Sequence, residues 1–239
     1  MLGLQFGIGA ANDLADAVPD AAARAGKPIP AGLVSRGAAL GVCVIATGLG
    51  LLTAATVGVG AVVVGALGLA DGLVYDLRLK GTPLAWMPFA AGVGLLPLYA
   101  WLGAQGPVTV AFLGVEALCV LAGITLALAN ARADLTKDRI SGIASVATFL
   151  GGQRTLLANA ALLAVVQLIA LATTLAISGA TPMLAAEGCG IALGWFGVGF
   201  AGLRGDRAGP MVWEVQAVGI LLLGAGWLAV LNSAGMLRG

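Results

Sequence analysis

The stretch Asn12-Asp13-Leu14-Ala15-Asp16-Ala17-Val18-Pro19-Asp20 follows eleven residues that are apolar apart from Gln5, and it sets four oxygen-bearing side chains into a hydrophobic context. At 100° per residue, positions 12, 16 and 20 fall on one helical face with Asp13 beside them. Carboxylates one turn apart repel, and near a membrane bulk water does not screen that repulsion, so this face calls for a cation. Ligands drawn only from Asp and Asn oxygens suit Mg²⁺, which commonly keeps waters and completes its shell with substrate phosphates. Pro19 lacks an N–H and clashes with the preceding turn. A helix through the motif is therefore expected to kink or end before Asp20, which makes Asp20 the least secure ligand.

The same offsets recur at Asn130, Asp134 and Asp138. This is a weak internal repeat, consistent with a bundle of two related halves whose functional groups meet on a shared axis. Two metal sites facing one another would clamp a diphosphate. A blander interpretation treats the acids as loop charges balanced by Arg24, Lys27, Arg132, Lys137 and Arg139. Two copies at identical spacing, in a chain with only eleven acidic residues, favour the functional reading.

Around these motifs the chain is a membrane protein. Of its 239 residues 60% are hydrophobic and 10% charged, with a mean hydropathy of +1.03, against about a quarter charged in soluble domains. Apolar segments near 37–55, 57–75, 84–103, 108–129, 156–178, 184–203 and 212–231 are each long enough to span. The fold class expected is an all-α multi-span bundle around a central cavity, a single domain over residues 1–239. The eleven residues before Asn12 rise only about 16 Å as a helix, roughly half of the hydrocarbon core. One helix and part of another are therefore expected upstream of this sequence.

With no histidine in the chain, imidazole bases, catalytic triads and histidine-ligated zinc are excluded. Cys43, Cys119 and Cys189 stand far apart in apolar runs and read as small core hydrophobes. A net charge of +1 offers no field for nucleic acid. Following the spans, eleven of the twelve Lys and Arg fall on one side (Arg24, Lys27, Arg36, Arg78, Lys80, Arg132, Lys137, Arg139, Arg154, Arg204 and Arg207), and only Arg238 on the other. By the positive-inside rule the acidic motifs face the cytoplasm.

Two further stretches, Lys27-Pro28-Ile29-Pro30-Ala31-Gly32 and Tyr75-Asp76-Leu77-Arg78-Leu79-Lys80-Gly81-Thr82-Pro83, complete a pattern. Together with the two acidic motifs they resemble the UbiA superfamily of intramembrane prenyltransferases. That family carries N-D-x-x-D-x-x-x-D, then R-P-[IL]-x-x-G, a Y-x-x-x-L-K-R-T-P-type loop, and a second D/N-x-x-x-D-x-x-x-D motif followed by glycine. Here Lys27 stands for the arginine, Gly81 for a second basic residue and Asn130 for a common aspartate, while Gly142 and Gly151 match.

The resemblance implies Mg²⁺-dependent transfer of a prenyl group from an allylic prenyl diphosphate to an acceptor, an aromatic one on family frequency, inside the bilayer. It implies Asp13, Asp16, Asp20, Asp134 and Asp138 as metal ligands. Asp13, Asp16, Asp134 and Asp138 are then the catalytic set, and Asn12, Lys80, Asn130 and Arg139 bind substrate, with Lys80 and Arg139 on the diphosphate. The alternative is a cation-binding transporter or channel using the paired acidic clusters, which would place charges nearer the midplane and line a route to the far side. Glu116 and Asp71 lie within spans and are ionisable candidates by position, each with an equally simple structural role.

Overall fold

The computed structural model describes residues 1–23, 26–178, 182–205 and 209–237. Arg24, Arg207 and Arg238 lie outside them. Among the described residues every regular element is helical: α1 (Leu2–Ala23), α2 (Arg36–Val57), α3 (Val59–Val74) continued by a π-helical turn (Tyr75–Leu79), α4 (Trp86–Gly103) and α5 (Val110–Ala133). The short α6 (Leu135–Ser141) and α7 (Val146–Leu150) lead to α8 (Gly152–Ser178), α9 (Met183–Arg204) and α10 (Met211–Ser233). Among the described residues seven helices are long and apolar enough to cross a membrane: α2, α3 with its π turn, α4, α5, α8, α9 and α10. These are the seven segments expected from hydropathy.

α1 differs from the expectation. It does not end before Asp20 but runs through positions 19 and 20 to Ala23 as a single helix of 22 residues. Proline removes one intrahelical bond and crowds the turn before it. Asp20, just beyond the proline, is paired with Lys27 at 2.7 Å.

The helices group into two compact units, residues 1–80 with 98–105, and 81–97 with 106–239. In the first, α1 and α2 approach to backbone contact: a Cβ on Gly50 would stand 2.8 Å from the Leu4 backbone nitrogen. Small residues at such crossings let helices pack by dispersion where lipid supplies no hydrophobic drive. Leu4 is buried at this crossing. Ser35 caps α2 by accepting from the Ala38 N–H at 3.1 Å, the ordinary way to satisfy a first-turn donor.

In the second unit α9 and α10 meet in the same manner, with a Cβ on Gly219 falling 2.7 Å from the Gly190 carbonyl oxygen. The interior there is unusually polar. Asn159 of α8 donates to the Thr125 carbonyl of α5 at 2.8 Å, and Trp227 Nε1 of α10 donates to Thr173 Oγ1 of α8 at 2.6 Å. Glu187 of α9 is fully buried and accepts from Thr174 Oγ1 at 2.6 Å. Its pairing was not visible in the sequence, where Glu187 is one acid near the start of a span.

Candidate active site

The first acidic motif occupies the C-terminal half of α1, and all four oxygen-bearing residues are at least partly buried. That is the wrong end of a helix for negative charge, since the unpaired carbonyls there make it the negative pole. α1 has no basic residue in its last turn. Cations must come from elsewhere in the chain, and two do.

Lys27 Nζ lies 2.7 Å from Asp20 Oδ2 and 3.1 Å from Asp13 Oδ1. Asp13 and Asp20 are seven residues apart, two turns on nearly the same azimuth, so one ammonium reaches both. The chain after α1 delivers it through a tight turn, in which the Lys27 carbonyl accepts from Ala31 N–H and the Pro28 carbonyl accepts from both Leu33 and Val34. Hydrogen bonds to Asp20 and then Asp13 push the Lys27 ammonium above its ordinary pKa. Asp20, expected to be the weakest member of the motif, is its most buried carboxylate.

Lys80 Nζ lies 2.5 Å from Asp16 Oδ2 and 2.8 Å from Asn12 Oδ1. Two features of the loop aim it there. The π turn closes with the Lys80 N–H donating to the Tyr75 carbonyl at 2.8 Å, a wider turn that resets the helical phase by one residue. Gly81 then takes φ +74°, a left-handed conformation glycine adopts without steric cost, and the chain leaves toward α4.

Asp76 was not singled out by motif reasoning. Its Oδ2 is buried without a hydrogen-bond partner, and its carboxyl is close enough to feel the charges of Lys80 and Asp16. The signal was available: Asp76 lies four residues before Lys80, within one helical turn.

The second motif is in the other unit. Asn130 is half-buried on α5, Asp134 is the junction where α5 ends and α6 begins, and Asp138 is buried in α6. Burial holds the Asp138 carboxyl above the usual carboxylate range, and a hydrogen bond from Ser145 works against that shift. Ser145 is fixed by its own capping box with Thr148 at the start of α7. Gly142 ends α6 at φ +66°, letting the Ile143 N–H reach the Asp138 carbonyl at 2.9 Å. This accounts for a glycine just after the motif. Arg139, expected on the diphosphate, is exposed on α6.

Arg132, counted in the sequence only as a cytoplasmic charge, is 5% exposed. Its guanidinium donates to the carbonyls of Gly152 at 3.1 Å, Ala201 at 3.1 Å and Gly205 at 3.4 Å. It thereby ties the motif-bearing end of α5 to the start of α8 and the end of α9, where a cation also meets the negative helix pole.

Among the described residues no three acidic or cysteine side chains converge tightly enough to hold a metal by themselves. The α1 donor set nonetheless fits a hard divalent ion whose shell is completed by water and phosphate. Its oxygens already converge in pairs on two ammonium groups, which are cations standing in the place of one.

Comparison with known proteins bears on the fold and the family. No curated protein matches the chain in sequence. A UbiA homologue from Aeropyrum pernix K1 superposes with a TM-score of 0.72 at 20% identity, over 95% of this chain and 85% of that one. A UbiA homologue from Archaeoglobus fulgidus bound to GPP and Mg²⁺ superposes at 0.69 and 18% identity, over 97% and 88%. A structure of digeranylgeranylglyceryl phosphate synthase in membranes gives 0.71 at 15% identity, over 96% and 80%. These likenesses establish a shared helical fold. The model of the UbiA prenyltransferase family matches residues 1–211, from the start of α1 to the first residue of α10, and the chain belongs to that family.

Proposed function

We propose that this protein transfers a prenyl group from an allylic prenyl diphosphate to a small acceptor within the membrane, and that it depends on Mg²⁺. The observation that carries the reading is the pairing of oxygens on α1, where Asn12 with Asp16 and Asp13 with Asp20 each converge on one cation. The relative from Archaeoglobus fulgidus binds GPP and Mg²⁺, or DMAPP and Mg²⁺, which supports the same ligands here.

Asp13, Asp16 and Asp20 hold metal on α1, and Asp134 and Asp138 offer the same donors from the second motif. A divalent ion held there would supply positive charge against that building on the departing diphosphate. Asn12 binds substrate beside the first motif and Asn130 beside the second. Lys80 binds diphosphate oxygens as a point charge on a flexible stem, and Arg139 is assigned the same role. The surrounding helices exclude water from the allylic cation, which would otherwise be quenched to an alcohol. No proton acceptor stronger than a carboxylate is needed, in keeping with a chain that has no histidine. The acceptor is proposed to be aromatic, and the motifs to face the cytoplasm.

The test is a product assay on purified protein with a panel of prenyl diphosphates against aromatic and glyceryl-lipid acceptors, with and without Mg²⁺. A prenylated product that vanishes on chelation is expected. Failure of every donor and acceptor pair, with the protein folded, overturns the reading.

A further inference from the structure

The two lysines paired with α1, Lys27 and Lys80, do more than balance charge. Each ammonium is shared between two oxygens of different residues, Lys27 between Asp13 and Asp20 and Lys80 between Asn12 and Asp16. Together they engage all four oxygen-bearing members of the motif. An ammonium that occupies an oxygen pair excludes a second cation from it. Both lysines are anchored in segments that turn sharply, the Pro28 turn and the π turn, while their four-carbon stems remain free to rotate. The heads can leave the oxygens without the backbone moving.

Charge decides when they leave. The three α1 carboxylates and the neighbouring Asp76, against two ammoniums, leave at most two negative charges. A divalent ion added alone cancels that charge, and the lysines it displaces are left without anionic partners and repel it. A diphosphate arriving with the metal supplies the negative charge the lysines then need, and they exchange carboxylate for phosphate.

We infer that Lys27 and Lys80 are internal counterions that hold the metal positions of α1 closed, so that metal binds weakly alone and tightly only with the diphosphate. The inference rests on the reading that α1 holds the metal. It adds Lys27 to the site and assigns the pair a gating role toward metal. Such a latch keeps the acidic face from collecting metal when no prenyl donor is present.

The test is direct binding of Mn²⁺, a spectroscopically visible substitute for Mg²⁺, to the purified full chain without diphosphate. Lys80→Met and Lys27→Met are each expected to bind Mn²⁺ more tightly than the wild type by about tenfold or more, the scale on which one neighbouring charge shifts ion binding. The gains should be matched by pair: Asp16→Asn cancels that of Lys80→Met, and Asp13→Asn that of Lys27→Met. Lys80→Arg, which keeps the charge, should stay weak, and Lys80→Gln, which keeps a donor for Asp16, should resemble Lys80→Met and serves if the methionine variant is unstable. If the wild type binds Mn²⁺ in a manner lost in Asp16→Asn, and the neutral variants bind no more tightly, the latch is wrong and the metal site stands. If neither wild type nor any variant binds Mn²⁺ alone, the latch is wrong; if Mn²⁺ is also not bound with inorganic diphosphate present, the metal reading fails with it.

Discussion

Asn159 and Gln216 exchange amide hydrogen bonds between α8 and α10: Asn159 Nδ2 donates to Gln216 Oε1 at 3.1 Å, and Gln216 Nε2 donates to Asn159 Oδ1 at 3.2 Å. Both side chains are within 1% of complete burial. In hydrocarbon neither amide has water to fall back on, so removing one strands the other. Asn159→Leu alone and Gln216→Leu alone should each destabilise the protein by about 1–2 kcal/mol. The double variant should lose less than the two losses added. Unfolding in mixed micelles, read as a double-mutant cycle, measures the coupling.

Gly190 and Gly188 stand two residues apart on α9 and make opposite predictions. A Cβ on Gly190 would fall 2.5 Å from the Gly219 carbonyl oxygen and 2.7 Å from the Leu223 backbone nitrogen, whereas one on Gly188 meets nothing within 4 Å. Gly190→Ala should cost about 1–3 kcal/mol through forced separation of α9 and α10. Gly188→Ala should be neutral or slightly stabilising. Equal thermal shifts for both would contradict the crossing.

Asp16→Asn and Asp134→Asn are expected to lower prenyl transfer at least about 100-fold, the upper end of what losing even a supporting residue costs a metal site. Activity near wild type in either variant would remove that residue from the ligand set. Asp20→Asn is a sharper case. The pairing of buried Asp20 with the partly exposed Lys27 predicts a loss of thermal stability along with any loss of turnover, and a fully stable variant would show that the pair is not needed to hold α1.

Lys80→Ala should raise the KM for the prenyl diphosphate well beyond any change in the KM for the acceptor. An equal rise in both would mean the substitution has deformed the loop and not removed a diphosphate ligand.

The proposed cytoplasmic orientation of the motifs is checked by labelling. Ala21 and Ala104 are both exposed. In a background without Cys43, Cys119 and Cys189, Ala21→Cys should react from the cytoplasmic side of sealed vesicles and Ala104→Cys from the other. Labelling of both from one side would overturn the topology.

The spans were legible because their signal is compositional: twenty apolar residues in a row announce a membrane helix whatever they pack against. The acidic face of α1 was legible for a similar reason, since azimuth follows from helical period alone. What the sequence concealed depends on partners distant along the chain. Lys80 finds Asp16 across 64 positions through a π turn, and a one-residue change of helical phase leaves no mark in composition. Local rules weigh Pro19 alone and so point to an end before Asp20, whereas α1 runs on to Ala23, and the pairing of Asp20 with Lys27, which lies beyond the helix, is not readable from helical period. Arg132 read as a topology signal because nothing in its neighbourhood indicates that three carbonyls from α8 and α9 converge on it.

The amide exchange between α8 and α10 also bears on how the chain is built into its membrane. Asn159 is synthesised 57 residues before Gln216, so α8 enters the bilayer with a polar group whose final partner does not yet exist. The Thr125 carbonyl on α5, already in place, accepts from the same amide at 2.8 Å and can hold α8 against α5 in the interval. Gln216 then arrives as the closing member of a pair that was half assembled before it. Insertion of α10 thus completes a lock begun two spans earlier, and a chain stalled before α10 would present to the quality-control machinery an intermediate with one amide waiting.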